Sequence, residues 1–131
     1  MQYSVAVNNA RLDAIETTIG ASPKLRIFSG SIPANCAAAD SGTLLCEITL
    51  PSDWMNAAST ASKTLLGTWS GTASGGSAAT PTHYRIWNNA GTACGMQGSA
   101  GIGSGELQVN GTITSGQTVS VSSFTINAAN T

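Results

Sequence analysis

Thr82 to Gly101 reads THYRIWNNAGTACGMQGSAG, and the fold class turns on this stretch. His83-Tyr84-Arg85-Ile86-Trp87 mixes aromatic, β-branched and polar residues at period two, the pattern of a half-buried strand. Asn88-Asn89-Ala90-Gly91 supplies residues that tolerate the positive φ of a hairpin turn. Thr92 to Ser99 then runs back as a second strand, thinned by Gly95 and Gly98, where another backbone can approach closely. Alternation places Tyr84 and Ile86 on the buried face. His83, Arg85 and Trp87 fall on the other, away from that core, where Trp87 is either an exposed anchor or a cover for an opposite sheet. A long antiparallel hairpin here predicts more sheet around it.

Working outward, Gly101 to Gly105 reads as a flexible turn and Glu106 to Asn110 as a short strand. Asn110-Gly111 is a strong hairpin signal. Thr118 to Ile126 is the last strand, and its phase slips: Val119 and Val121 share one parity, Phe124 and Ile126 the other. A β-bulge at Ser122-Ser123 puts all four on one face. Upstream, Lys24 to Ser29 is a strand with Leu25 and Ile27 on one face and Lys24 and Arg26 on the other. Gly30 to Gly42 is an Ala/Ser/Pro loop, Thr43 to Leu50 a more buried strand, and Lys63 to Trp69 a further one. Ser70 to Pro81 reads as a linker with almost no burial capacity. Residues 5–19 form the one helix: Val5, Leu12, Ile15 and Ile19 make a narrow apolar stripe, Ser4 or Asn9 caps it, and Gly20 with Pro23 stops it. Seven or so short strands predict a mainly β chain, an antiparallel β-sandwich or jelly-roll-like fold with one N-terminal amphipathic helix. At 131 residues the expectation is a single domain spanning 1–131.

Charged residues are 8% of the chain, against roughly 25% in an ordinary soluble domain. Hydrophobic residues are 41%, which argues against disorder. Five basic and six acidic residues leave no electrostatic footprint for nucleic acid or for an anionic membrane. Sparse charge and strand edges without charged gatekeepers favour self-association, so a homo-oligomer is expected. No apolar run approaches the roughly 18 residues of a membrane span, and Met1-Gln2-Tyr3-Ser4 carries no secretory n-region, so synthesis in a cytoplasm is expected.

The residues point away from an enzyme. His83 is the only histidine, and alternation alone explains it; no G-x-S-x-G elbow is present. A Cys94–His83 pair across the hairpin lacks a third member. Cys36, Cys46 and Cys94 form no C-x-x-C and read as buried free thiols, with Cys36–Cys46 or Cys46–Cys94 bridges left open. One histidine with scattered carboxylates gives no metal set, and no cofactor is expected. Gly101-Ile102-Gly103-Ser104-Gly105 resembles a phosphate cradle but leads into a strand rather than a helix, so it is a turn. Glu47 and Glu106 are an unspecific glycosidase pair. Trp54, Trp69 and Trp87 allow a sugar-stacking platform, though tryptophans more often anchor cores and interfaces.

The order of motifs resembles a group of small virion proteins of tailed bacteriophages. The resemblance is carried by Asn9-Ala10-Arg11-Leu12, Lys24 to Gly30 with Pro33 beyond, Thr43-Leu44-Leu45, and Gly67 to Ala73. It continues through His83-Tyr84-Arg85-Ile86, Gln97-Gly98-Ser99, Gly116 to Val119 and Ser123 to Ile126. It implies a decoration or cement protein on the capsid surface, made in the host bacterial cytoplasm, with the major capsid protein as partner and a dimer or trimer as its own state. A tail or neck component is the structural alternative, and a carbohydrate-binding module the alternative of another class. The candidate interface residues are Trp87, as an exposed aromatic anchor, and Leu12, Ile15 and Ile19 of the helix stripe. Cys36 and Cys94 lie outside the pattern and inherit no role.

Overall fold

The computed structural model describes residues 1–128. One helix, α1 (Val5–Ile19), precedes eight strands: β1 (Lys24–Ser29), β2 (Thr43–Thr49), β3 (Ser62–Thr64), β4 (Ser70–Thr72), β5 (His83–Trp87), β6 (Cys94–Ile102), β7 (Leu107–Val109) and β8 (Thr118–Asn127). The fold is mainly β and sandwich-like, with one N-terminal helix. The sheet runs β2-β1-β5-β6-β7-β8-β3, and β4 also pairs with β8. The Cys46–Ala73 bridge, with Ser74 and Gly75 N–H groups donating to Leu45 O (2.9 and 3.2 Å), joins the end of β4 to β2. The sheet therefore returns on itself around an interior of Leu25, Ile27, Ile48, Trp69, Ile86, Val119 and Phe124. This removes most of the open edge on which the expectation of self-association rested.

The hairpin is as expected. Asn88 N donates to Ala93 O, and β5 pairs antiparallel with β6 from His83–Ser99 to Trp87–Cys94. Gly95 is the extra residue of a bulge; a Cβ there would sit 2.5 Å from Ile19 Cγ1, so it is a side chain of α1 rather than another backbone that needs the space. The slip in β8 is a bulge too. Gln108 pairs with Ser123 and Val109 with Val121, leaving Ser122 unmatched, and Val119, Val121 and Phe124 are all buried.

Three expectations fail. Of the strand over Lys63 to Trp69 only the first residues belong to β3, and β4 begins just beyond it, because the chain leaves β8 between them. There Leu66 N donates to Trp54 O, and Gly67 turns at φ 77° against Pro51. The Ser70 to Pro81 linker is built in: β4 pairs with β8, Ala73 is buried, and Ala79 exchanges backbone hydrogen bonds with Ile113. Small side chains allow that close approach and need no apolar bulk. The sheet is also not wholly antiparallel, since β6 and β7 are parallel. Parallel neighbours normally need a crossover of a dozen residues. Here Gly103 and Gly105 at φ 68° and 86° fold the chain back within residues 103–106. The Asn110-Gly111 signal does precede an antiparallel partner, β8, but through residues 110–117 rather than a two-residue turn.

The helix begins at Val5, where Ser4 Oγ accepts from Val7 N, and ends at Gly20. Leu12 and Ile19 are buried and Ile15 packs on the core, but Val5 is exposed, so the stripe is shorter than expected. Polar residues complete the docking. Asn9, Asp13 and Glu16, one face of α1, accept from the Ala61, Ala58 and Met55 amides. Lys63 is 2% exposed and bridges Asp13 (2.7 Å) and Glu16 (2.9 Å). Burial works against the Lys63 charge, yet the two carboxylates outweigh it and raise its pKa. Hydrogen bonding to Lys63 correspondingly holds the Asp13 carboxyl below its usual range.

Lys63→Ala should therefore cost about 2 kcal/mol, read as a lower urea midpoint with unchanged slope. A raised lysine stabilises fully below its ordinary value of 10.5 and loses that contribution as pH rises through the folded value. The lowered Asp13 contributes above its ordinary 3.8 and loses it as pH falls. The variant's stability should change less with pH than the parent's at both ends; equal profiles would show that the ion pairs carry nothing.

Candidate functional site

The outer face of β1, β5 and β6 carries Arg26, Phe28, His83, Arg85, Trp87 and Gln97. Register sets the row: Arg26 lies opposite Arg85, Arg85 opposite Gln97, and Phe28 opposite His83. Two cations directly opposed on one face repel. The chain offsets this with Asp40, which takes Arg26 Nη1 at 3.1 Å and Arg85 Nη1 at 2.6 Å, and with Glu47, which takes Arg26 Nε at 2.8 Å. The Trp87 ring lies 4.7 Å from the Arg26 guanidinium and 5.1 Å from that of Arg85.

Asp40 belongs to the 30–42 loop, which folds over this face. Gly30 and Gly42 pinch its base: both have positive φ, and a Cβ on Gly42 would collide with Ser29 O. Ends this close define an Ω-loop. Arg85 fastens it, with Nη2 donating to the carbonyls of Asn35, Cys36 and Ala38 at 3.3, 3.0 and 2.9 Å. Gln97 Nε2 donates to Pro33 O and Thr82 Oγ1 to Gly30 O.

The alternation is right and its consequence wrong. His83 and Arg85 do point away from Tyr84 and Ile86, but they are 1% and 0% exposed because the loop covers them. Trp87, the expected exposed anchor, is half-buried. Leu12 and Ile19 are buried, so of the three helix residues expected at the interface only Ile15 remains partly open. Ile15 and Ile19 border a cleft of about 420 Å³ between α1 and the β5–β6 turn, with Arg11 and Asn88 among its other walls. Sequence reasoning missed Arg26, Asp40 and Gln97 as members of the site. The Arg26/Arg85 parity was visible, but the loop's path was not.

His83 stacks on Phe28 with centroids 5.0 Å apart, and its Nδ1 lies 3.1 Å from Thr82 Oγ1. Burial lowers its pKa, and neighbouring Arg85 adds to this against an opposing Gly30 backbone contact. Cys94 faces Trp87 at the far end of the hairpin, so it is not a partner for His83. Glu47 is held by Arg26, whereas Glu106 accepts from Tyr84 Oη and Ser99 N. Trp54 and Trp69 are core residues, 0% and 1% exposed, so the three tryptophans make no common platform. Among the described residues no cluster of His, Cys, Asp and Glu could hold a metal ion, and no helix is long and apolar enough to cross a membrane.

The face is chemically distinctive in one respect. His83 Nε2, Arg85 Nε, Trp87 Nε1 and Gln97 Oε1 are buried without a hydrogen-bond partner among the described residues; elsewhere only Asn8 Nδ2 shares that state. Such atoms are few in folded proteins, and each carries unmet bonding capacity. No protein-family model, curated protein or solved structure matches this chain.

Arg85→Met should remove the loop's fastening, cost about 3 kcal/mol or more, and expose residues 30–42 to limited proteolysis. Arg85→Lys should not restore protection, since an ammonium cannot reach three carbonyls and a carboxylate in one plane. Protection in both variants would refute the assignment. A second expectation concerns His83. Its lowered pKa means that the unfolded chain binds the proton more readily, so stability falls as pH drops below the ordinary value of 6.5. His83→Gln should flatten that slope between about pH 5 and 7, measured by chemical denaturation.

Proposed function

We propose that the chain is a structural protein of a tailed-bacteriophage virion, a decoration or cement protein bound to the major capsid protein shell. The observation that supports this reading is the outer face itself: its ions are paired within the chain, and Trp87 is half-open beside them. Pre-paired charges lose little on being covered, and an aromatic packed beside two guanidinium groups loses little conformational freedom on binding. The resemblance in motif order supplies the virion context. The role is mechanical, on the capsid surface after synthesis in the host cytoplasm, and the chain assembles as a dimer or trimer. With β2 joined to β4, the contacts between copies are face contacts rather than strand addition; Val5, Val7, Ile32, Leu44 and Ile102 are among the exposed large apolar side chains available.

Copy number and position in purified particles, read by cryo-EM, test this directly. Copies in the hundreds over the head support a cement protein, copies confined to the tail or neck support the alternative structural role, and absence from particles overturns both. Trp87→Ala should weaken binding to capsids by about 30-fold, the loss of a 2 kcal/mol hot spot. Its own melting curve must be recorded alongside, because Trp87 also lies against Arg26 and Arg85. Unchanged retention of the folded fraction would remove Trp87 from the interface.

A further inference from the structure

Two cysteines stand outside the hydrophobic core, Cys36 on the Ω-loop and Cys94 at the start of β6, and both are free. Cys46 is buried on β2 among core side chains. Cys36 sits near the middle of the loop, half-buried, with its carbonyl held by Arg85 Nη2 at 3.0 Å. Cys94 opens β6 opposite Trp87, the residue two along from Arg85 on the same face. The loop is tied to β6 a few residues further on, by Gln97 Nε2 to Pro33 O at 2.8 Å. These restraints set Cys94 on the side of the sheet that the loop covers, near enough to Cys36 for the Cys36 thiol to raise the Cys94 pKa, and the Cys94 thiol donates to Met96 O at 3.5 Å. The Cys36–Cys46 and Cys46–Cys94 bridges that the sequence left open are not the pairings this geometry favours.

We infer that Cys36 and Cys94 are a redox-active pair that closes to an intrachain disulfide and locks the Ω-loop onto β6. The oxidant is a small-molecule disulfide such as oxidised glutathione. The Cys36 thiolate, on the half-buried loop, attacks one sulfur and releases one glutathione thiolate, leaving a mixed disulfide at Cys36. The Cys94 thiolate then attacks the Cys36 sulfur, the second glutathione departs as its thiolate, and the Cys36–Cys94 bond forms. Two protons leave the protein, two electrons pass to the oxidant, and two reduced glutathiones result. Burial and the neighbouring Cys36 thiol push the Cys94 thiol up to about 11, so the second exchange is the slower one. The bond would join two elements that Arg85 already holds in register, so little rearrangement is needed. It would also close a long stretch of chain, the case in which a cross-link restricts the unfolded state most. This inference is independent of the virion reading.

The test is equilibration of the whole folded protein in glutathione buffers from reducing to strongly oxidising, followed by acid quench, thiol alkylation and peptide mass mapping. The expected result is a species lighter by two hydrogens, with Cys36 linked to Cys94 and Cys46 alkylated. Its loop should resist proteolysis at least about tenfold better, and its melting temperature should rise by several degrees. Cys36→Ser, a change on the loop, should abolish the linkage, while Cys94→Ser should trap glutathione on Cys36. A lasting mixed disulfide in the parent chain, a bond to Cys46 or to a second chain, or three free thiols in the most oxidising buffer would each overturn the inference.

Discussion

A guanidinium with no exposed surface governs this structure. Arg85 lies on the outer face of the sheet, where a cation would ordinarily reach water, and the chain instead brings acceptors to it: three loop carbonyls and the Asp40 carboxylate. An uncompensated buried charge costs several kcal/mol, so covering the face and supplying the acceptors have to occur together. The loop could not order itself. Its residues are mostly Ala, Ser, Asn and Gly, with Ile32 exposed, and they bury too little apolar surface to offset the lost backbone entropy. Hydrogen bonds to one fixed ion replace the missing core.

Lys63 repeats the device on the other flank. The helix has only Leu12, Ile15 and Ile19 to bury, and the buried ammonium adds two ion pairs and a bond to Asn56 O. Low charge in this protein is therefore more than a neutral surface. Of five basic residues, three are ion-paired within the chain, and two of those are almost wholly buried. The scarce charges fasten the two elements that hydrophobic packing alone holds poorly. Ser, Thr, Asn and Gly are left to form the surface.

What the sequence disclosed follows from which interactions are local. The helix limits were legible because Ser4, Gly20 and Pro23 act on adjacent backbone. The β8 bulge was legible because inserting one residue is how a half-buried strand changes parity between Val121 and Phe124 while keeping both inside. The β5 alternation was equally legible, but alternation reports only which residues share a side. Whether that side meets water depended on a loop some fifty residues upstream. The break between β3 and β4 was hidden for the same reason: Leu66 turns away from β8 to reach the Trp54 carbonyl, a partner that no window around Leu66 contains. Small-residue segments were the largest blind spot. Ser70 to Pro81 and Gly101 to Gly105 have little apolar content, yet small size lets backbones approach and lets β6 and β7 lie parallel across a four-residue connection.

Return of the sheet on itself changes how this chain can meet another. An open sandwich edge offers a row of unpaired amides and carbonyls, and association through it is strand addition. In this chain β2 is paired by β1 on one side and bridged to β4 on the other, while β3, a terminal strand, is short and lies beside α1, joined to it by Lys63. Backbone pairing is largely consumed internally, so any partner must be recognised by side chains. On the outer face of β1 and β5 that means a half-buried indole beside two neutralised guanidinium groups, on a surface made stiff by the strands beneath it. Stiffness favours a partner of fixed shape, because neither side then loses much entropy in docking. Neutralised ions lower the desolvation penalty of contact but also forgo long-range steering. On the proposed reading, such a surface binds by fit and residence rather than by rapid electrostatic capture, which suits an attachment that forms once and persists.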